Sequence, residues 1–135
     1  MAKKITEIEG IGPAMQEKLA GVEVTTVEQL LEKGATPKAR SEMVEATGID
    51  AQKLLKFVNM ADLFRINGVA SEMSELLQAS GVNTVVELSK RKPENLHAKM
   101  MEVNEEKKLV RKAPTVDQVT KWVDQAKELP RKVEY

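Results

Sequence analysis

Cysteine is absent from the 135-residue chain, which removes disulfides and thiolate metal sites and is compatible with a reducing cytoplasm. Aromatic residues amount to 3%, too few to build a stacking platform for bases and an unfavourable composition for strands. Net charge is also lacking, because 21 Lys and Arg balance 21 Asp and Glu. A neutral chain has no long-range attraction for nucleic acid, which argues against a coating or packaging protein. No apolar run approaches the roughly 20 residues of a membrane helix. Met1-Ala2-Lys3-Lys4 leads to Glu7 and Glu9 instead of an apolar stretch, so neither a signal peptide nor a membrane association is expected, and the chain reads as cytoplasmic. His97 is the sole histidine. Without a second His, a Cys or a nearby Asp it can assemble neither a zinc site nor a nucleophile relay, and it is expected on the side of a helix. No acidic pair recurs along the chain with a reason to share a cleft, so the expectation is a non-enzymatic protein without cofactor or metal.

What the chain does have is 41% hydrophobic residues, with Ala, Leu, Val and Met accompanied by long charged side chains. That mixture favours an all-α fold with one core, or two small cores that share an interface. Laying the sequence on itself with a shift of 58 places Ile8, Gly10, Ile11, Met15 and Leu19 on Ile66, Gly68, Val69, Met73 and Leu77. The same shift carries Val24, Thr26, Val27 and Leu30 onto Val82, Thr84, Val85 and Leu88. A shift of 56 then pairs Pro37 with Pro93 and Gly48 with Asn104, and a shift of 65 pairs Phe57-Val58 with Trp122-Val123. The chain therefore reads as a duplication, residues 1–63 and 64–135, with an insertion near Glu105 to Pro114.

Each copy resolves into about five short helices separated by residues that stop them. A leading helix ends near Ile8 or Ile66. A second runs from Pro13 to Ala20 or from Ser71 to Ala79, and a Gly-Val segment ends it. A third spans Val27 to Glu32 or Val85 to Lys90, with Thr26 and Thr84 as N-caps. Thr36-Pro37 opens a fourth that Gly48 ends, Pro suiting a helix start and Gly or Asn the left-handed residue beyond its end. A fifth starts at Asp50 or at Thr115, where Thr115 and Gln118 have the spacing of a capping box. The fifth helix of the first copy is expected to run on into the second copy, so that the two share one rod and pack as one body.

In Ile8-Glu9-Gly10-Ile11-Gly12-Pro13-Ala14 the glycines permit positive φ and close backbone approach, the intervening Ile plugs the core, and the helix that follows offers N–H groups at its start. Such amides can hold an anion, and a nucleic-acid phosphate would be held without regard to sequence. Ile8 to Leu19 resembles the helix-hairpin-helix motif of DNA repair and replication proteins. The paired arrangement through Ala61-Asp62-Leu63, Ile66, Gly68 and Val69, with Trp122 in the last helix, is similar to an uncharacterised bacterial family of tandem helix-hairpin-helix domains. That resemblance implies two tandem, SAM-like repeats. It also implies duplex DNA as partner, contacted through the backbone by Gly10, Ile11 and Gly12, with Ala14 at the helix start and Lys18, Lys3 and Lys4 in support. The equivalent Gly68, Val69, Ala70 and Ser71 form a weaker second site, since Ala70 replaces the second Gly and Glu72 and Glu75 enter the following helix.

Charge is uneven in one place: from Lys90 to Lys112 eight basic residues face four acidic ones. Lys90, Arg91, Lys92, Lys107, Lys108, Arg111 and Lys112 could extend a phosphate-binding surface, or form a solvated face interleaved with Glu94, Glu105 and Glu106. Met15 and Met73 are expected as core filler, and Phe57 and Trp122 in equivalent packing roles. Two functions stay open: a sequence-independent nucleic-acid accessory module, or a protein-interaction scaffold that uses its hairpins structurally.

Overall fold

Most helix starts in this chain are set by Thr and Pro. In the computed structural model, which describes residues 3–135, Thr26, Thr36, Thr84 and Thr115 each accept a backbone N–H at the head of a helix. The eight α-helices of the described residues are α1 Pro13–Ala20, α2 Val27–Lys33, α3 Pro37–Thr47, α4 Ala51–Leu63, α5 Ser71–Ala79, α6 Val85–Ser89, α7 Pro93–Lys107 and α8 Val116–Glu128. One turn of 3-10 helix, Ile5–Glu7, precedes them. No strand occurs among the described residues, and the fold is all-α. An isolated antiparallel bridge joins Lys4 to Thr26. Met1 and Ala2, at the head of the first expected repeat, lie outside the described residues.

The capping boxes are reciprocal. The Gln118 amide donates to Thr115 Oγ1 over 3.2 Å, while Thr115 N–H donates to Gln118 Oε1 over 2.9 Å. Gln29 and Thr26 repeat the arrangement at α2. Asp50 caps α4, accepting the Gln52 and Lys53 amides on Oδ2. Each such cap satisfies donors that a helix start would otherwise leave to water, and its loss costs about 1 kcal/mol.

Two units divide the chain: residues 1–62 with 132–135, and residues 63–131. In the first, Ile5, Ile8, Leu19, Val24, Leu30, Leu54 and Val58 are fully buried. Its last four residues return to it from the far end of the sequence. Val133 is 2% exposed, the Glu134 N–H donates to the Ala35 carbonyl over 2.7 Å, and the Tyr135 hydroxyl donates to Asn59 Oδ1 over 3.1 Å. Arg40 donates to the carbonyls of Gly34 and Glu134. Burial lowers the Arg40 guanidinium from its ordinary value, and the charge of Tyr135 opposes that shift.

The second unit gathers α5 to α8 around Leu76, Leu77, Leu88, Leu96, Met100 and Val119, with Met73 packed at the edge of the same core. Leu63, the last residue of α4, already belongs to this core. The chain turns directly after it, with the Ile66 N–H on the Leu63 carbonyl at 3.1 Å, so no helix reaches Ile66. At the sequence level that ending was hidden, since neither Gly nor Pro interrupts Leu63 to Ile66.

Gly21 is the C-cap at which α1 ends, as expected, but it stays right-handed at φ −63°, and Glu23 takes the left-handed position at φ 64°. In the second unit Gly81 holds that role at φ 95°. The first unit thus tolerates a strained non-Gly residue, with Lys33 Nζ bonded to the Val22 carbonyl beside it. Asn104, expected just beyond a helix, lies inside α7, and Lys108 is the left-handed residue at φ 51°. The helix runs on because the Asn104 side chain finds partners elsewhere: Oδ1 accepts the Val110 N–H and Nδ2 donates to the Val110 carbonyl.

Glycine is indispensable where a positive φ coincides with a close neighbour. Gly10 has φ 98°, and a Cβ there would lie 3.2 Å from Phe57 Cε1; Gly68 has φ 92°, with its Cβ position 3.1 Å from Trp122 Nε1. Phe57 and Trp122 therefore perform the same task, each lying against the first glycine of a hairpin. Gly10→Ala and Gly68→Ala are each expected to lower stability by about 2 kcal/mol, combining left-handed strain with displacement of the ring. Urea denaturation followed by circular dichroism checks this, and an unchanged midpoint for either variant would refute it.

Candidate nucleic-acid interface

The first hairpin is a short backbone device. The Ile8 N–H bonds to the Ile5 carbonyl, and the Ile11 N–H bonds to the Ile8 carbonyl, each at 3.2 Å. These two turns carry the chain from the 3-10 helix past Gly10 and into α1. Ile8 is fully buried and Ile11 is 5% exposed, so the side chain of Ile11 is a core plug and only its backbone can meet a ligand. Gly12, Pro13 and Ala14 are exposed. Gly12 is the N-cap, extended at φ −91° and ψ −175°, and no side chain caps this helix start.

Gly12 differs physically from Gly10. Its φ and ψ suit any residue, extended backbone is what a following Pro prefers, and a Cβ added there would meet nothing within 4 Å. The fold does not require glycine at 12. What its missing side chain does provide is open access to the head of α1.

Lys18 is exposed in the last turn of α1, on the same helix as the hairpin it was expected to support. Lys3 and Lys4 are held elsewhere by their backbones. The Val27 N–H donates to the Lys3 carbonyl, the Lys3 N–H donates to Glu28 Oε1, and Lys4 pairs with Thr26. These contacts tie the first lysines to the start of α2. Exposed Glu9 and Glu17 flank the hairpin residues in sequence.

The second hairpin repeats the backbone of the first. Its amides at Ile66 and Val69 bond to the carbonyls of Leu63 and Ile66, each at 3.1 Å. Val69 is 2% exposed and plugs the core as Ile11 does. Ala70 is the N-cap at φ −114° and ψ −163°, close to the angles of Gly12, so the change from Gly to Ala leaves the turn intact. The difference lies in what the helix head presents. A methyl group, Ser71 and the carboxylate of Glu72 stand where the first hairpin has Gly12, Pro13 and Ala14, and the Asn67 N–H is taken by Gln125 Oε1 at 2.7 Å.

The basic stretch does not form one patch. Lys90, Arg91 and Lys92 connect α6 to α7, whereas Lys107, Lys108, Arg111 and Lys112 lie at or beyond the other end of α7. A 15-residue helix separates the two groups by about 22 Å. Arg91 is half-buried, with Nη1 3.5 Å from the Ser80 carbonyl. Lys108 and Arg111 join Glu72, Asn104 and Glu105 around an open depression of about 520 Å³. The fold thus brings two of the basic residues to the head of α5, in mixed company with two carboxylates. Sequence reasoning missed this depression because it depends on the course of the inserted segment after α7.

His97 lies on a helix side, with Nε2 2.9 Å from the Pro114 carbonyl, an acceptor that assigns the proton to Nε2. No group of three or more metal-ligating His, Cys, Asp or Glu side chains exists among the described residues. No described helix is long and apolar enough to cross a membrane.

A family model described as Domain of unknown function (DUF4332) matches residues 9–129, from the first hairpin to just past α8. The chain belongs to the DUF4332 family. The match takes in both hairpins and every α-helix, so these elements are the DUF4332 unit, and the terminal segment that returns to the first unit lies beyond it. No solved structure matches this DUF4332 chain.

The loop that carries Lys107 to Lys112 depends on the Asn104 clasp. Asn104→Ala is expected to cost about 1 to 2 kcal/mol by removing both bonds to Val110. Lys108→Gly should add up to about 1 kcal/mol by relieving the left-handed backbone. Thermal unfolding of the two variants checks the opposite signs, and the same sign for both would count against the clasp.

Proposed function

We propose that this protein is a non-enzymatic accessory module of the cytoplasm, built as two tandem helix-hairpin-helix repeats, that contacts the backbone of duplex DNA through its first hairpin without reading sequence. The observation that carries the reading is Gly12: exposed, free of any steric need for glycine, and placed at a helix head that no side chain caps. A helix start combines N–H donors with the positive end of the helix dipole, and a bare glycine lets a phosphate approach them. Lys18 adds one positive charge on the same helix. Neutral overall charge and the nearby Glu9 and Glu17 make the expected contact weak and sensitive to salt.

The second hairpin supports a subordinate role. Ala70 preserves the turn, but Glu72 in the first turn of α5 opposes an anion. The same acidic residues support the rival reading, a protein-interaction scaffold in which hairpins serve packing alone.

Fluorescence anisotropy with labelled duplex and single-stranded DNA, at low and at moderate salt, distinguishes the two. Wild type is expected to bind duplex at low salt and to weaken as salt rises. Gly12→Val should keep the wild-type melting temperature, since its Cβ meets nothing within 4 Å and its backbone angles are ordinary, and weaken binding about fivefold, the equivalent of one hydrogen-bonded contact. Absence of salt-dependent binding, or binding indifferent to the variant, would overturn the DNA reading in favour of the scaffold.

A further inference from the structure

The segment that returns to the first unit is recognised there as an extended peptide. Both main-chain groups of Glu134 are held, its N–H by the Ala35 carbonyl and its carbonyl by Arg40 Nη2, each at 2.7 Å. Alternate side chains of an extended strand share a face. Val133 enters the unit, with 2% exposure; Tyr135, 60% exposed, lies at the surface and reaches Asn59 with its hydroxyl, and the Glu134 side chain is exposed as well.

The receiving surface is built into the fold. Gly34 ends α2, and a Cβ there would lie 2.6 Å from Val58 Cγ2. Only glycine lets the end of α2 approach α4 so closely, and this fixes the Gly34 and Ala35 carbonyls. Arg40, 9% exposed, is oriented by its bond to the Gly34 carbonyl at 2.8 Å, which aims its other nitrogen at the tail. Asn59, 6% exposed, supplies the acceptor for the tyrosine. Backbone pairing, one pocket for an apolar side chain and one polar anchor for a hydroxyl are the means by which an extended peptide is read.

We propose that this cleft is an acceptor for an extended apolar–any–tyrosine segment, which the chain's own Val133-Glu134-Tyr135 fills within one molecule and the tail of a second copy fills in exchange. The contact rests on a single well-buried side chain and a few hydrogen bonds, so it opens without unfolding the helices. Exchange between copies preserves every contact and changes only which chain supplies the tail, the condition for swapping. The connector suits it. Leu129 leaves α8 with extended backbone at φ −95° and ψ 139° and is followed by Pro130, which holds the chain away from a tight turn. The family match ends at Leu129, so the exchanged segment is separable from the DUF4332 helices. This inference is independent of DNA binding.

Two full-length variants with complementary defects test it. Val133→Asp retains the cleft and loses a tail that can enter it; Arg40→Met retains the tail and loses the grip on Glu134. Sedimentation of each alone is expected to give monomer, and an equimolar mixture to give a one-to-one complex. A mixture that stays monomeric, with both variants folded by circular dichroism, would overturn the proposal. Should either variant lose its helical signal, a fluorescent peptide of residues 129–135 titrated into full-length Glu134→Pro, whose own tail loses its N–H bond to the Ala35 carbonyl, decides instead. Saturable binding, weakened about fivefold by Tyr135→Phe in the peptide, supports the cleft; no saturable binding, or none of that loss, overturns it.

Discussion

A glycine with positive φ lying against an aromatic ring is the constraint on which each unit of this protein depends. At Gly10 and Gly68 the backbone must adopt a conformation that L side chains avoid, and the space a Cβ would take belongs to Phe57 or Trp122. The turn can reverse the chain only because the ring is there to pack on, and the ring is buried only because the turn lacks a side chain. From this pairing follow the inward position of Ile11 and Val69 and the outward position of the helix head. The polar end of α1 faces water because the residue two before it is locked into the core.

That arrangement separates two roles that glycines in one short motif could share. Gly10 serves the fold and Gly12 does not, since its angles are ordinary and its surroundings empty. Nature's other solution to the same turn is visible within the chain, where Ala70 takes the place of the second glycine without altering the backbone. At such a position the fold does not dictate glycine. Gly12 leaves the helix head open to solvent, whereas Gly10 belongs to the architecture.

Most helix boundaries were legible because Thr, Pro and Gly act locally. Thr26, Thr36, Thr84 and Thr115 cap the helices they precede, and Pro13, Pro37 and Pro93 occupy first helical positions, as their side-chain chemistry requires. The misreadings came where a tertiary partner overrode that chemistry. Asn104 continues a helix because Val110 satisfies its amide, and Glu23 accepts left-handed strain beside Lys33 while Gly21 leaves its freedom unused. Of the candidate site, the hairpin was legible as a contiguous motif. The division of the basic stretch was not, because adjacency in sequence says little about two groups at opposite ends of a long helix. The docked tail was equally hidden: nothing in Lys-Val-Glu-Tyr marks a partner nearly a hundred residues earlier.

The return of that tail makes the first unit discontinuous in sequence and the second an insertion within it. The inserted helices make their contacts within one continuous stretch, whereas the first unit closes across them. Val133 fills its place, and Arg40 and Asn59 meet partners, only when segments far apart in sequence come together. The hairpin-bearing unit therefore includes a loop closure that the inserted unit is spared, and such long-range closures are the slow part of folding.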